Sequence, residues 1–272
     1  MPFENINKIK IYYETKGKGP GLLYISGTGG DLRKRPNIFD SPLSKHFKIL
    51  SYDQRGQGLS DHPDIPHSMI DYANDANKLL EILGWNKCYV IGFSFGGMVA
   101  QELAIRFPSR IEKIVLLSTS SGGIGGSSYP LEKLELLSIE EKARNMISLI
   151  DTRLDESWKK THPKEFQNKI DQMIHDLTIK DDEATHRIGI KRQLEARAGH
   201  NAYAKLHKLE MPVYICGGKF DGITSVTNLK KIQNQIPNAH LEIFEGGHMF
   251  FLQDSNAFNH ILAFLKGTFD KQ

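Results

Sequence analysis

Gly92-Phe93-Ser94-Phe95-Gly96 forms a G-x-S-x-G run at the junction of a strand pattern and a helix pattern. No other feature restricts the fold as strongly. The preceding residues, Lys87-Cys88-Tyr89-Val90-Ile91, are β-branched and aromatic and suit a buried strand. From Gly96 to Arg106, Met98, Val99, Leu103 and Ala104 recur at helical spacing. A serine at so sharp a turn takes a strained backbone conformation that lifts its hydroxyl above the sheet. The neighbours two residues away must then lack bulk, which gives Gly92 and Gly96 a steric role. The helix that follows points its positive end at any oxyanion formed there.

Strand and helix patterns alternate on either side of this junction. Ile9, Ile11 and Tyr13 alternate with polar neighbours and suit one antiparallel edge strand over roughly 3–16. Strands are expected at 22–25, 47–52, 111–117, 213–216 and 240–244, and helices at 71–83, 226–235 and 256–265. This order predicts an α/β fold, a mainly parallel doubly wound sheet covered on both faces. Residues 120–200 break the pattern. A glycine- and serine-rich stretch leads there into three amphipathic helical patterns, the first opened by the capping pair Ser138 and Glu141. About 80 residues without strands fit a helical cap (lid) inserted into the core domain formed by 1–119 and 201–272.

Composition narrows the function classes. The 272 residues carry a formal net charge of +3 and no lysine/arginine run dense enough for nucleic acid. No apolar stretch approaches the 18 residues or so of a membrane span. Cys88 and Cys216 are expected as buried hydrophobes rather than a disulfide, and no secretory leader is recognisable, so the expected location is cytoplasmic. No Cys/His cluster suggests a metal, and Gly27-Thr28-Gly29-Gly30 is too short for a dinucleotide fingerprint. No cofactor and no metal are expected.

Parallel sheets gather functional residues in loops at the carboxyl ends of their strands. Three such loops supply Ser94, Asp221 and His248, in that order along the chain. A serine hydroxyl needs a base to take its proton during attack, and histidine titrates near neutral pH. The aspartate would fix the imidazole tautomer and stabilise its cationic form. His248 follows the last strand in a Gly-Gly-His turn, whereas His240 lies near that strand's start, at the wrong edge. The loop after Leu117 offers no carboxylate, which leaves Asp221 as the acid. An oxyanion hole needs two N–H donors. Phe95 would supply one from its backbone and the loop after Tyr24 the other, with Thr28 ahead of Gly29.

With these residues the chain resembles the α/β-hydrolase superfamily, in its branch of cap-bearing serine esterases and lactonases such as the 3-oxoadipate enol-lactonases. The matching stretches are Gly92 to Gly97, the D-x-R-G-x-G-x-S pattern from Asp53 to Ser60, Gly218-Lys219-Phe220-Asp221 and Gly246-Gly247-His248. Two features depart from the pattern. Ser26-Gly27 stands where many relatives carry His-Gly, and proline iminopeptidases place His-Gly-Gly-Pro-Gly where this chain has Ser26 to Gly30. Asp53 and Arg55 are expected to tie loops together beside the site. The resemblance implies acyl transfer to water through a serine ester, with a small-molecule ester or lactone as substrate. A thioesterase, a cofactor-free perhydrolase and a low-turnover ligand receptor share the same motifs.

Overall fold

A computed structural model describes residues 2–181 and 185–269. The strands are β1 (Phe3–Ile6), β2 (Ile9–Lys16), β3 (Gly21–Ile25), β4 (Lys48–Tyr52), β5 (Cys88–Phe93), β6 (Ile111–Leu117), β7 (Val213–Gly218) and β8 (Ala239–Phe244). The helices are α1 (Met69–Ile82), α2 (Phe95–Arg106), α3 (Ile139–Ile150), α4 (Glu156–Thr161), α5 (Pro163–Asp181), α6 (His186–Ala198), α7 (Val226–Gln235) and α8 (Ala257–Lys266). All the strands join one sheet in the order β1-β2-β4-β3-β5-β6-β7-β8. The pairs β1/β2 and β2/β4 are antiparallel and every later pair is parallel.

Alternation along the central strands explains the two-sided core. Leu23, Leu50, Val90 and Leu116 face one side, where they pack with Ala76 of α1, Val99 of α2 and Ile232 of α7. Their neighbours Leu22, Ile49, Ile91 and Val115 face the other side, against Ile261 and Leu265 of α8. Apolar residues at every position therefore require helices on both faces, as expected for a parallel sheet.

The amino-terminal segment corrects the sequence-based expectation. Residues 3–16 do not form one strand but a hairpin, turned at Asn7 (φ +49°) and Lys8 (φ +70°). Two consecutive left-handed residues suit the twist of a tight hairpin, but lysine gives no signal for that conformation. Asn7 Nδ2 donates to Asp75 Oδ1 at 2.8 Å, which fastens the turn to α1.

Between β6 and β7 the chain is helical, with no strand among the described residues. The expected capping box at Ser138 opens α3. Ala143, Ile147, Phe166 and Ile170 form an apolar cluster between α3 and α5, separate from the sheet core. Helix α4 was not anticipated; Asp155 caps it by accepting the Trp158 N–H at 2.8 Å. The third helical pattern is α6, and the expected start of that pattern, residues 182–184, lies outside the described residues.

Beyond α6, His200 is 5% exposed, and neither ring nitrogen has a partner among the described residues. Burial pushes its pKa down from 6.5 to about 4, so the folded chain refuses a proton that the unfolded chain accepts. Stability is then lost as pH falls from about 6.5 towards 4, by up to roughly 3 kcal/mol from this residue. Urea midpoints measured across that range should fall less steeply for His200→Asn than for the native chain.

Candidate active site

The carboxyl ends of β3, β5, β7 and β8 meet at one edge of the sheet. At the end of β5, Ser94 has φ +52° and ψ −114°, a conformation that costs on the order of 1–3 kcal/mol in a non-glycine residue. Its surroundings hold it there. The Ser94 N–H donates to Leu117 O at 2.8 Å, and its carbonyl accepts from Gly97 N–H at 2.9 Å and from Thr119 Oγ1 at 2.8 Å. A Cβ at Gly92 would collide with Gly96 O and come within 2.7 Å of Gly97 Cα. One at Gly96 would run into the carbonyl oxygens of Ile25 and Ser26. Both glycines therefore let the start of α2 lie directly against β3 and β5.

The structure brings the three expected side chains together. His248 Nε2 lies 3.0 Å from Ser94 Oγ, and His248 Nδ1 lies 2.8 Å from Asp221 Oδ2. The other carboxylate oxygen of Asp221 accepts the N–H groups of Ile223 and Thr224, both at 2.8 Å. Asp221 is thereby oriented and its charge solvated by backbone dipoles. The His248 N–H donates to Ile150 O at 2.6 Å, at the end of α3. The Phe93 ring, 5.1 Å from the imidazole centroid, covers one of its sides. His240 lies elsewhere, stacked on Tyr214 within the sheet.

Phe95 is the first residue of α2, so its N–H has no intrahelical acceptor. Thr28 sits in a tight turn closed by Gly30 N–H to Gly27 O at 3.2 Å, with Gly29 at φ +70°. Among the described residues neither the Phe95 N–H nor the Thr28 N–H has an acceptor. The Gly29 N–H is already engaged, donating to Gln193 Oε1 at 2.9 Å. Of Thr28 and Gly29, Thr28 is the one whose N–H has no acceptor among the described residues.

Asp53 and Arg55 act on the surrounding loops. Asp53 accepts from Leu32 N–H and Leu59 N–H, both at 2.8 Å, which joins the loops after β3 and β4. Burial pushes its pKa up to about 7, against the pull of those two N–H groups. Arg55 makes a bidentate pair with Asp75 at 2.6 and 2.7 Å. Cys88 and Cys216 are free and buried, and burial raises the Cys88 thiol to about 12, so it stays protonated. Among the described residues no three His, Cys, Asp or Glu side chains cluster as metal ligands, and no helix is long and apolar enough to cross a membrane.

A cavity of about 860 Å³ opens above Ser94 and His248. Met146 and Ile150 of α3, Leu177 of α5, and Ile190 and Leu194 of α6 contribute to its wall. Charged side chains, among them Glu132, Glu135, Lys142 and Glu195, share that wall, and a cavity of this size is a common form of small-molecule site.

Sheet order, serine turn and loop arrangement define one class. The family model described as alpha/beta hydrolase fold matches residues 20–255, and the chain belongs to that family. It is 24% identical over 264 residues to 3-oxoadipate enol-lactonase 2 of Acinetobacter baylyi, covering 96% of this chain and 95% of the relative. It is 25% identical over 238 residues to a poly(3-hydroxyalkanoate) depolymerase of Ectopseudomonas oleovorans, covering 87% and 80% respectively. The solved structure of an enol-lactonase from Burkholderia xenovorans LB400 superposes with a TM-score of 0.78 at 20% identity, over 97% of this chain and all of that one. The resemblance expected from the motifs thus extends along nearly the whole chain, and its class is hydrolase.

Sequence reasoning missed Gln193 and the carbonyl of Ile150. Both reach the site from the helices between β6 and β7, and nothing in their local sequence marks them. Gly96→Ala tests the close approach of α2. It should lower stability by about 1–3 kcal/mol through overpacking, read from urea unfolding. Gly84→Ala makes a control in open space, where only the positive φ opposes the change.

Proposed function

We propose that the chain is a serine hydrolase that cleaves a carboxylic ester or lactone of a small organic molecule. The observation that carries this reading is the unbroken hydrogen-bonded line from Asp221 through His248 to Ser94, opening into the cavity. In this reading the Ser94 hydroxyl donates to His248 Nε2, and His248 Nδ1–H donates to Asp221. Ser94 Oγ attacks the carbonyl carbon while its proton passes to Nε2. The N–H groups of Phe95 and Thr28 receive the oxyanion. Collapse of the intermediate breaks the bond to the leaving oxygen, which takes the proton from His248. A water molecule then gives its proton to His248 and attacks the acyl-serine. The acid leaves, and the proton returns to Ser94.

Residues 120–200 serve as the cap over a core of 1–119 and 201–272, and the cap supplies much of the pocket's apolar wall. Charged side chains also line the pocket: Glu135 pairs with Lys142 at 2.7 Å, Glu195 with Arg192 at 2.6 Å and Glu132 with Arg197 at 3.9 Å, and Arg187 and Lys191 stand on its α6 side. An apolar acyl or alkyl group suits the part of the wall formed by Met146, Ile150, Leu177, Ile190 and Leu194. The reaction as drawn needs no cofactor. Enol-lactonase and depolymerase relatives, named for cleaving related bonds, support the same reading.

Short p-nitrophenyl esters and a fluorophosphonate probe test it. Turnover and covalent labelling at Ser94 are expected, and Ser94→Ala or His248→Ala should lower kcat by about 10³-fold or more. A folded protein that neither turns over esters or lactones nor takes the label would refute the assignment. Acyl-CoA substrates, or peroxide with acetate, would expose a thioesterase or a perhydrolase.

A further inference from the structure

We infer that Gln193 is a positioning residue for the oxyanion-binding turn, through which α6 sets the rate of the reaction proposed above. Gln193 is fully buried, and the one hydrogen bond of its side chain among the described residues is the 2.9 Å bond to the Gly29 N–H. An N–H must face an oxygen, so the amide's orientation follows from the bond itself.

The turn from Gly27 to Gly30 has its own bond at the ends, and Gly29 holds the left-handed conformation of its third position. What that bond leaves free is the plane of the central peptide, between Thr28 and Gly29. Gln193 pins that plane by its N–H. Thr28, whose own N–H is the proposed donor, is thereby held from both sides. A donor aligned before reaction stabilises an oxyanion far better than one that must reorient.

The same face of α6 explains why Gln193 can reach so far. One turn earlier, Gly189 lies against the loop after β4: a Cβ there would collide with Gly56 O, and one on Gly56 would come within 2.8 Å of Gly189 Cα. Residues four apart share a helix face. The glycine-to-glycine approach therefore seats α6 at the depth from which Gln193 meets Gly29. Arg192, on a neighbouring face, pairs with the exposed Asp64 at 2.6 Å, and removing that ion pair makes a control on α6 that leaves the Gly189 approach and the Gly29 bond in place.

The inference rests on the serine hydrolase reading for its kinetics and on the Gly29 bond for its structure, so two readouts are needed. Gln193→Met keeps length and shape but lacks a strong acceptor. With a p-nitrophenyl ester it should lower kcat about 10- to 100-fold with KM within about twofold. It should also weaken a trifluoromethyl ketone, whose serine adduct carries an oxyanion, by a similar factor. Gln193→Leu, which also lacks an acceptor but packs differently, should lower kcat by a similar factor, and Arg192→Ala should leave kcat within about twofold. A Gln193→Met enzyme with native kcat, or an Arg192→Ala enzyme equally impaired, would overturn the inference. Amide exchange at Gly29 stands apart from activity: Gln193→Met should speed it at least about tenfold, and unchanged protection would overturn the inference even in a chain that hydrolyses nothing. Should Gln193→Met not fold, Gln193→Leu decides: a folded Leu variant with kcat lowered more than about tenfold supports the inference, and one with kcat near native overturns it. Absence of labelling at Ser94 in the native chain would instead refute the function proposed above.

Discussion

The fold's local demands converge on the backbone of one residue. Ser94 can hold φ +52° only because β3, β5 and the first turn of α2 close around it, and they can close only because Gly92 and Gly96 carry no side chain. A strained residue persists where its surroundings over-determine it. Here the ladder bond from Ser94 N–H to Leu117 O and the bond from Thr119 Oγ1 to Ser94 O do so. The same closure sets the proposed nucleophile beside the N-terminus of a helix, where an unpaired N–H and the helix dipole both favour negative charge.

The helices between β6 and β7 are not a separate body resting above the sheet. The end of α3 accepts the His248 N–H through Ile150 O and the Gly222 N–H through Leu149 O, so it grips both the histidine turn and the aspartate turn. Helix α6 grips the turn after β3 through Gln193. Three loops of the site thus share hydrogen bonds with one helical segment. Reading that segment as a cap makes it part of the site's geometry as well as its roof.

Most of the architecture was legible because it is written in periods of two and 3.6. Strand β6 and helix α7 fall at the residues expected, since apolar runs bounded by proline, glycine or serine leave little choice. Ser94, Asp221 and His248 were legible for a related reason: each sits in a glycine-bearing turn directly after a predicted strand, and parallel strands send such turns to one edge. The hairpin at Asn7-Lys8 was not legible, because a lysine held at positive φ is stabilised by a bond from its neighbour to Asp75, 68 residues away. Helix α4 carries no such signal, because it is six residues long and buries none of them, which leaves no periodic stripe.

Apart from the first hairpin and α4, the sequence by itself determined the order of strands and helices, the strained serine turn and the set of polar residues that a parallel sheet would collect. Those follow from local sterics and hydrophobic spacing, which act over a few residues. Only the tertiary structure decided which N–H of the glycine turn stays free. That choice belongs to Gln193, 164 residues beyond Gly29, and is made by the depth at which Gly189 meets Gly56. Contacts between distant backbones depend on how whole elements pack, and neither composition nor period carries that information.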